Sequence, residues 1–126
     1  MKKNIVIVED DEFLMDLLAK NFSGDDYAVT KAPNGKDGID KVKQVKPELV
    51  LLDLLLPDVN GIEFDGFKVL EEIKKDPEIS DIPVIILSNL DQKEQIEKGI
   101  KLGAVDYLIK SQFTTEEIIA KVNKIT

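Results

Sequence analysis

Residues 51–74, LLDLLLPDVNGIEFDGFKVLEEIK, place a single carboxylate, Asp53, directly after the apolar run LVLL of residues 49–52. A short continuous apolar run is typical of a strand that is buried on both faces of a parallel sheet. Two turn signals follow in quick succession, PDVNG and EFDG, and a helical pattern begins near Phe67. The stretch therefore predicts a buried strand that ends in a charge, then a long loop and an amphipathic helix.

The same alternation of apolar runs and amphipathic segments extends along the whole chain. Its pattern predicts five strands, at residues 4–8, 27–32, 48–53, 83–88 and 104–110. Helices are predicted over about residues 11–22, 35–46, 67–75 and 91–102, and from Thr114 onward. Alternating strands and helices predict one α/β domain over residues 1–126, with a five-stranded parallel sheet and helices on both faces.

Local signals mark the helix ends and one helix face. The buried face of the first helix is predicted from five apolar residues at helical spacing: Phe13, Leu14, Leu17, Leu18 and Phe22. Ser23-Gly24 is predicted to end that helix, because glycine suits the left-handed cap. Thr114 and Glu117 have the spacing of a capping box for the last helix.

Composition excludes several kinds of chemistry. The 126-residue chain has no cysteine and no histidine, and all 17 of its basic residues are lysine. It therefore lacks a thiolate metal site, a cysteine nucleophile and the usual general base. The net charge of −8 argues against nucleic acid or an anionic membrane as the main partner. The apolar runs are too short to span a membrane or to form a signal peptide, so we expect a soluble cytoplasmic protein.

Polar residues stand at the predicted carboxyl ends of four strands. Glu9 and Asp10 end the first strand, Asp53 the third, Ser88 the fourth and Lys110 the fifth. Ligands of open parallel sheets bind beyond these strand ends. Carboxylates that converge there repel one another and raise each other's pKa, and a hard divalent cation relieves the repulsion. Magnesium suits such a site, because it needs only one or two carboxylates and keeps several waters.

A cation, an ammonium and a hydroxyl around one carboxylate make an anion site. Phosphoryl transfer needs this set, because its catalysis is mostly positioning and charge neutralisation. The carboxylate in such a site can itself be the nucleophile. Taken singly, Ser88 and Lys110 also fit ordinary structural roles, a helix cap and a charge balance. Taken together, the residues predict that Asp53 is phosphorylated.

Five motifs, in order and at near-family spacing, make the sequence resemble the response-regulator receiver domain over essentially the whole chain. They are IVIVEDDE, APNG, LVLLDLLLP, PVIILS and LGAVDYLIK, beginning at residues 5, 32, 49, 83 and 102. The resemblance implies a flavodoxin-like (βα)5 fold and a Mg²⁺-dependent phosphoryl acceptor that signals through a conformational change. It implies these roles: Asp53 as phosphoacceptor; Asp10, Asp53 and the Leu55 backbone carbonyl as magnesium ligands; Glu9 as a ligand through water; Ser88 and Lys110 as phosphate contacts; and Tyr107 as the aromatic switch.

The resemblance also implies partners. A sensor histidine kinase or phosphotransfer protein would supply the phosphoryl group, since this chain has no histidine to donate it. A downstream target protein would read the change, as expected for a stand-alone regulator without a DNA-binding or enzymatic domain in the chain. Such a protein catalyses its own phosphorylation and dephosphorylation but is not an enzyme with turnover. Both a monomer and a phosphorylation-dependent dimer stay open.

Two single residues depart from the family pattern. Ser111 follows Lys110 where the family usually has proline, so the loop toward Phe113 is expected to be rebuilt. Asn89 follows Ser88 where a small residue is usual, and its amide is expected to narrow the entrance for the phosphodonor.

The loop after Asp53 is the third departure. The family pattern D-x-x-x-P-x-x-x-G is met by Asp53, Pro57 and Gly61, yet the helix follows Gly66, five positions later. If Gly66 is the family glycine, the loop contains an insertion of five residues within 57–66. Loops of this kind often carry function, but a surface insertion is also tolerated at little entropic cost.

Three rival functions can be weighed on the sequence. A phosphatase of the aspartyl-phosphate type typically needs a second acid two residues after the first, where this chain has Leu55. A flavin-binding protein needs a hydroxyl- and glycine-rich loop after the first strand, where this chain has the acidic residues 9–12. A pseudo-receiver, which uses the same fold as a phosphorylation-independent interaction module, stays open, although the filled acidic positions favour the active form.

Overall fold

Strands and helices alternate through the computed structural model, which describes residues 2–22 and 26–126. The strands are β1 (Lys3–Val8), β2 (Tyr27–Ala32), β3 (Leu49–Leu52), β4 (Val84–Ser88) and β5 (Asp106–Ile109). The helices are α1 (Glu12–Phe22), α2 (Gly35–Val45), α3 (Gly66–Lys75), α4 (Lys93–Lys101) and α5 (Thr115–Ile125), and one 3₁₀ turn, Lys110–Gln112, precedes α5. The predicted helix stop at Ser23-Gly24 lies outside the described residues.

The five strands form one parallel sheet in the order β2-β1-β3-β4-β5, so the predicted fold class is confirmed. The register brings the strand ends into line, because Val8 pairs with Leu52, Leu52 with Ile86, and Ser88 with Ile109. The residues that end or follow β1, β3, β4 and β5 therefore meet at one edge of the sheet, the carboxyl edge.

Apolar side chains cover both faces of the sheet. In β1, Ile5 and Ile7 join a cluster with α1 and α5, whereas Val6 and Val8 join a second cluster with α2 and α3. All four side chains are at most 1% exposed. Full burial of one such side chain stabilises a fold by about 1.5–3 kcal/mol. The carboxyl edge therefore rests on a sheet that is packed from both sides.

The predicted buried face of α1 is partly wrong. Leu18 and Phe22 are buried together with Met15, but Phe13 is 79% exposed and Leu17 is 37% exposed. At 3.6 residues per turn, Phe13 lies about 140° around the helix axis from Leu18, so the two cannot both face the sheet.

Side chains cap the starts of α2 and α5. The Asp37 backbone N–H donates to Asn34 Oδ1 at 2.8 Å at the start of α2. At the start of α5, Glu117 N–H donates to Thr114 Oγ1 at 3.1 Å and Thr114 N–H donates to Glu117 Oε1 at 3.0 Å. The predicted capping box is therefore confirmed. No helix in the described part of the chain is long and apolar enough to cross a membrane.

Candidate functional site

Buried polar side chains are few and meet at the carboxyl edge. Among residues 2–22 and 26–126, the buried polar side chains are Glu9 at 2% exposure, Asp53 at 5% and Ser88 at 0%. Glu9 directly follows β1, Asp53 directly follows β3, and Ser88 ends β4. Burying a charge is costly unless a partner compensates it. The concentration of such groups at one place therefore identifies the candidate site.

Three carboxylates form an acidic cluster there. One oxygen each of Glu9, Asp10 and Asp53 lies within 4.8 Å of the others. The Asp53 backbone N–H donates to the Val8 carbonyl at 2.9 Å, which fixes Asp53 beside the end of β1. The Leu55 N–H donates to Asp53 Oδ1 at 3.3 Å, while the role of the Leu55 carbonyl as a metal ligand stays a prediction. An all-oxygen set of this kind fits magnesium.

Lys110 forms ion pairs with two of the three carboxylates. Its Nζ lies 2.6 Å from Glu9 Oε1 and 3.1 Å from Asp53 Oδ2, and its side chain is 17% exposed. The sequence predicted Lys110 as the last residue of β5, but the strand ends at Ile109 and Lys110 begins the 3₁₀ turn. The structure thus brings the lysine to the acids from a turn rather than from a strand.

Burial and charge shift two of these groups. Burial raises the pKa of Glu9 to about 7; the Lys110 hydrogen bond opposes this rise and the charge of Asp53 adds to it. Burial lowers the pKa of Lys110, but its hydrogen bond to Glu9 and the charge of Asp53 outweigh burial and leave that pKa above its ordinary value. One lysine does not balance three clustered carboxylates, and a divalent cation bound beside them would offset the excess negative charge.

Ser88 and Tyr107 are joined through the loop after β4. Ser88 Oγ accepts a hydrogen bond from the Leu90 N–H at 3.3 Å, and the Tyr107 hydroxyl donates to the Leu90 carbonyl at 2.5 Å. The Tyr107 ring also packs on α4, where a Cβ added at Gly99 would lie 3.3 Å from its Cδ2. Burial raises the pKa of the Tyr107 hydroxyl, which stays a hydrogen-bond donor at neutral pH. Tyr107 therefore connects the site to α4.

The first turn after Asp53 is a small exposed hairpin over residues 59–62. Val59 N–H donates to the Ile62 carbonyl at 2.9 Å, and Ile62 N–H donates back to the Val59 carbonyl at 3.0 Å. Between them, Asn60 has φ 53° and Gly61 has φ 77°. Positive φ at both central residues defines a type I′ turn, for which Asn-Gly is a preferred pair. Ile62 is 64% exposed, and the space around Gly61 is open.

The second turn packs against Asp53 itself. Gly66 begins α3, and its N–H donates to the Leu54 carbonyl at 3.0 Å. A Cβ at Gly66 would lie 2.2 Å from the Asp53 carbonyl oxygen and 2.6 Å from Leu54 Cα, so only glycine fits. Gly66 rather than Gly61 therefore occupies the place beside Asp53. This contact favours the alternative in which Gly66 is the family glycine, and the insertion of five residues within 57–66 that follows from it stays a prediction.

The other two departures from the family pattern contact each other. Asn89 Oδ1 accepts a hydrogen bond from the Ser111 N–H at 3.1 Å. Proline at position 111 would have no N–H to donate. Among the described residues no peptide bond is cis. The sequence reasoning missed this contact, although one signal pointed to it: the two residues directly follow Ser88 and Lys110.

Comparison with known proteins identifies the family. Residues 5–123 match the family model for the response regulator receiver domain. Over 121 residues the chain is 37% identical to the DNA-binding dual master transcriptional regulator RpaA of Synechocystis sp. (strain ATCC 27184 / PCC 6803 / Kazusa), a match that covers 96% of this chain and 48% of that protein. The chain thus spans about half the length of this curated relative.

Solved structures agree with this assignment. The Mn²⁺-bound form of response regulator Rcp1 is 28% identical, with a TM-score of 0.77 over 94% of this chain and 88% of that chain. The BeF3-activated N-terminal receiver domain of Klebsiella pneumoniae RstA is 27% identical, with a TM-score of 0.82 over 96% of both chains. The chain belongs to the response-regulator receiver domain family.

Proposed function

We propose that this domain accepts a phosphoryl group on Asp53 from a sensor histidine kinase or phosphotransfer protein, in a reaction that depends on Mg²⁺. The phosphorylated form then signals to a downstream target protein. One observation carries the proposal: the buried Asp53 carboxylate lies among two further carboxylates and 3.1 Å from the Lys110 ammonium. A charge so buried and so placed serves chemistry better than stability.

The Asp53 carboxylate is the nucleophile of the proposed reaction. One of its oxygens bonds to phosphorus, the bond from phosphorus to the donor's nitrogen or oxygen breaks, and the electron pair of that bond leaves with the donor. Magnesium, held by Glu9, Asp10 and Asp53, would neutralise charge on the phosphoryl oxygens. Lys110 pairs with one of these oxygens. Ser88 donates its hydroxyl proton to another; its Oγ accepts from the Leu90 N–H, so the hydroxyl keeps a proton to donate.

The conformational change that follows phosphorylation begins at Ser88 and passes through the β4–α4 loop. If Ser88 turns toward the phosphoryl group, the bond from Leu90 N–H to Ser88 Oγ is lost. The Leu90 carbonyl also holds the Tyr107 hydroxyl, so this change reaches the ring that packs on Gly99 of α4. Phosphorylation of Asp53 thereby alters the surface formed by α4 and β5, which a target protein can recognise. The product is a signalling acyl phosphate, and we do not assign the domain an enzymatic turnover.

Two relatives support this chemistry. Rcp1 has a Mn²⁺-bound form, and manganese prefers the same oxygen ligands as magnesium. RstA has a BeF3-activated receiver domain, and beryllofluoride resembles a phosphoryl group in shape and charge.

Intact mass after incubation with phosphoramidate, with and without Mg²⁺, tests the proposal. We expect one phosphoryl group to be gained only with Mg²⁺, and the gain to be lost in Asp53→Asn, which keeps the size of the side chain and removes its charge. Asp58→Ala is the matched control, because Asp58 is an exposed carboxylate of the same loop. No gain in the wild-type protein would reject the proposal and favour the pseudo-receiver, an interaction module with the same fold.

A further inference from the structure

We propose that Asn89 is a positioning residue, whose side chain holds Lys110 over Asp53 by binding the backbone of Ser111. The inference rests on the proposed function, because it concerns the lysine that meets the phosphoryl group. It assigns a role to a residue outside the acidic cluster and its phosphate contacts. It also explains why Asn89 and Ser111 depart from the family pattern together.

The hydrogen bond lies just beyond the end of the sheet. The last residue pair between β4 and β5 is Ser88 with Ile109. Beyond this pair the segments that follow β4 and β5 leave the sheet. The hydrogen bond from Ser111 N–H to Asn89 Oδ1, at 3.1 Å, joins these two segments. The Asn89 side chain thus adds one contact beyond the last residue pair of the two strands. Lys110 lies in the sequence between Ile109, which is paired in the sheet, and Ser111, which is bound by Asn89.

Lys110 depends on this attachment because the turn that carries it has weak bonds of its own. The Phe113 N–H to Lys110 carbonyl distance is 3.5 Å, which is long for a hydrogen bond. The capping box that fixes the next helix begins only at Thr114. Ser111 is therefore the point at which the backbone next to Lys110 is held to the neighbouring strand.

The anchor is itself held in place. Asn89 is followed by Leu90, whose carbonyl accepts from the Tyr107 hydroxyl at 2.5 Å and whose N–H donates to Ser88 Oγ at 3.3 Å. Leu90, the residue directly after Asn89, is thus bound to both β4 and β5. Because the loop is fixed at Leu90, the hydrogen bond from Asn89 restricts the movement of Ser111.

The position of Lys110 matters because its ammonium makes two close contacts at once, 2.6 Å to Glu9 and 3.1 Å to Asp53. The lysine stem is flexible, so the backbone at Lys110 limits which positions its ammonium can reach and how often it occupies them. Small displacements of a charged group lower the rate of a reaction that depends on positioning. Proline at position 111 would lack the N–H donor, so Asn89 and the Ser111 N–H form a pair that this chain uses in its place.

The first test needs neither metal nor phosphoryl group. Asn89→Leu removes the acceptor at similar volume, and Ser111→Ala is the matched control because it keeps the backbone N–H. In Asn89→Leu we expect the Ser111 amide to exchange with solvent faster and the ¹⁵N signal of the Lys110 ammonium to broaden. Ser111→Ala should leave the Lys110 signal unchanged. Wild-type exchange and an unchanged ammonium signal in Asn89→Leu would overturn the inference.

The second test is the rate of acyl phosphate formation from phosphoramidate at saturating Mg²⁺. Loss of one neutral hydrogen bond corresponds to a rate lower by about two- to tenfold in Asn89→Leu, with no change in Ser111→Ala. Asn89→Asp keeps an acceptor and should restore most of the rate. Loss of rate in Asn89→Leu together with its recovery in Asn89→Asp is the pattern that a merely structural role of Asn89 would not give.

The two proposals fail in different ways. If the wild-type protein takes no phosphoryl group, the proposed function is wrong, and the exchange and ammonium signals still decide whether Asn89 holds Lys110. If the wild-type protein is phosphorylated and Asn89→Leu reacts at the same rate, Asn89 does not position the lysine.

Discussion

The loop after Asp53 contains two similar pairs of residues, Asn60-Gly61 and Asp65-Gly66, which have opposite surroundings. Asn60 and Gly61 both have positive φ, and the space around Gly61 is open. Gly66 has no free space, since a Cβ there would lie 2.2 Å from the Asp53 carbonyl oxygen. The first glycine is needed for a local backbone conformation, and the second for a contact between distant parts of the fold.

The comparison shows which half of the loop is in contact with Asp53 and the core. Residues 59–62 bond to each other and leave Ile62 64% exposed. The next residues are attached to the domain: Phe64 packs on the core, and Asp65 Oδ1 accepts from the Lys68 N–H at 2.9 Å. Substitutions in the second turn should therefore reach Asp53, and substitutions in the first turn should stay local.

Gly66→Ala should have the largest effect. The added methyl group meets the backbone of Asp53 and Leu54, which cannot move aside as a flexible side chain can. We expect the free energy of unfolding to fall by about 2–4 kcal/mol. Phosphorylation should fall further than the folded fraction does, because the backbone of Asp53 is displaced. Urea unfolding followed by circular dichroism measures the first effect, and a loss below about 0.5 kcal/mol would contradict the close contact.

Asp65→Ala should have the next largest effect. It removes the carboxylate that caps α3 and should lower the free energy of unfolding by about 1 kcal/mol. Asp65→Asn keeps a capping oxygen and should stay within a few tenths of a kcal/mol of the wild type. Asp58→Ala, an exposed acid outside the cap, serves as the control in the same urea titration. Equal losses in all three variants would mean that charge, not capping, is measured.

Gly61→Ala should cost less than Gly66→Ala, although Gly61 has the rarer backbone conformation. An L-residue at φ 77° is strained by about 1 kcal/mol, and the exposed hairpin can relax to reduce this strain. Gly61→Asn should lie between alanine and glycine, because asparagine tolerates positive φ. Thermal melting of the wild type, Gly61→Ala, Gly61→Asn and Gly66→Ala gives the ranking. A melting temperature of Gly61→Ala below that of Gly66→Ala would reverse the comparison.

Deletion of residues 58–62 should have the smallest effect. It removes the hairpin and places Pro57 and Gly66 at the family spacing, while it keeps Phe64 and Asp65. Shortening a loop changes its closure entropy little, so we expect a change of about 0.5 kcal/mol or less and a wild-type phosphorylation rate.

Deletion of residues 61–65, equal in length, is the control for that deletion. It also leaves family spacing but removes Phe64, which packs on the core, and should destabilise the domain by at least about 1 kcal/mol. A reduced phosphorylation rate in the 58–62 deletion alone, at unchanged stability, would show that the hairpin serves the reaction.

Most of the fold could be predicted from the sequence, because its signals are local. The apolar runs predict the strands, and their alternation with helical patterns predicts the parallel sheet, which the observed strand order confirms. The helix faces were harder to predict. Phe13 and Leu17 look like core residues by type, but both are exposed, because the sheet contacts α1 along the line of Met15, Leu18 and Phe22.

The convergence of Glu9, Asp10, Asp53 and Lys110 was also determined by the sequence. Parallel strands carry their carboxyl ends to one edge, so polar residues that follow apolar runs must meet there. Which of these end residues become neighbours depends on the strand order, and the placement of Lys110 depends also on the turn after β5.

Only the tertiary structure decided between Gly61 and Gly66, and only it joined Asn89 to Ser111. Both features depend on distances between segments that the chain brings together from separate positions, 13 residues apart for Asp53 and Gly66 and 22 for Asn89 and Ser111. A pattern of residue types records what a segment prefers, such as a turn at Asn60-Gly61. It does not predict that a Cβ at Gly66 would lie 2.2 Å from the Asp53 carbonyl oxygen, because that distance depends on the packing of the folded elements.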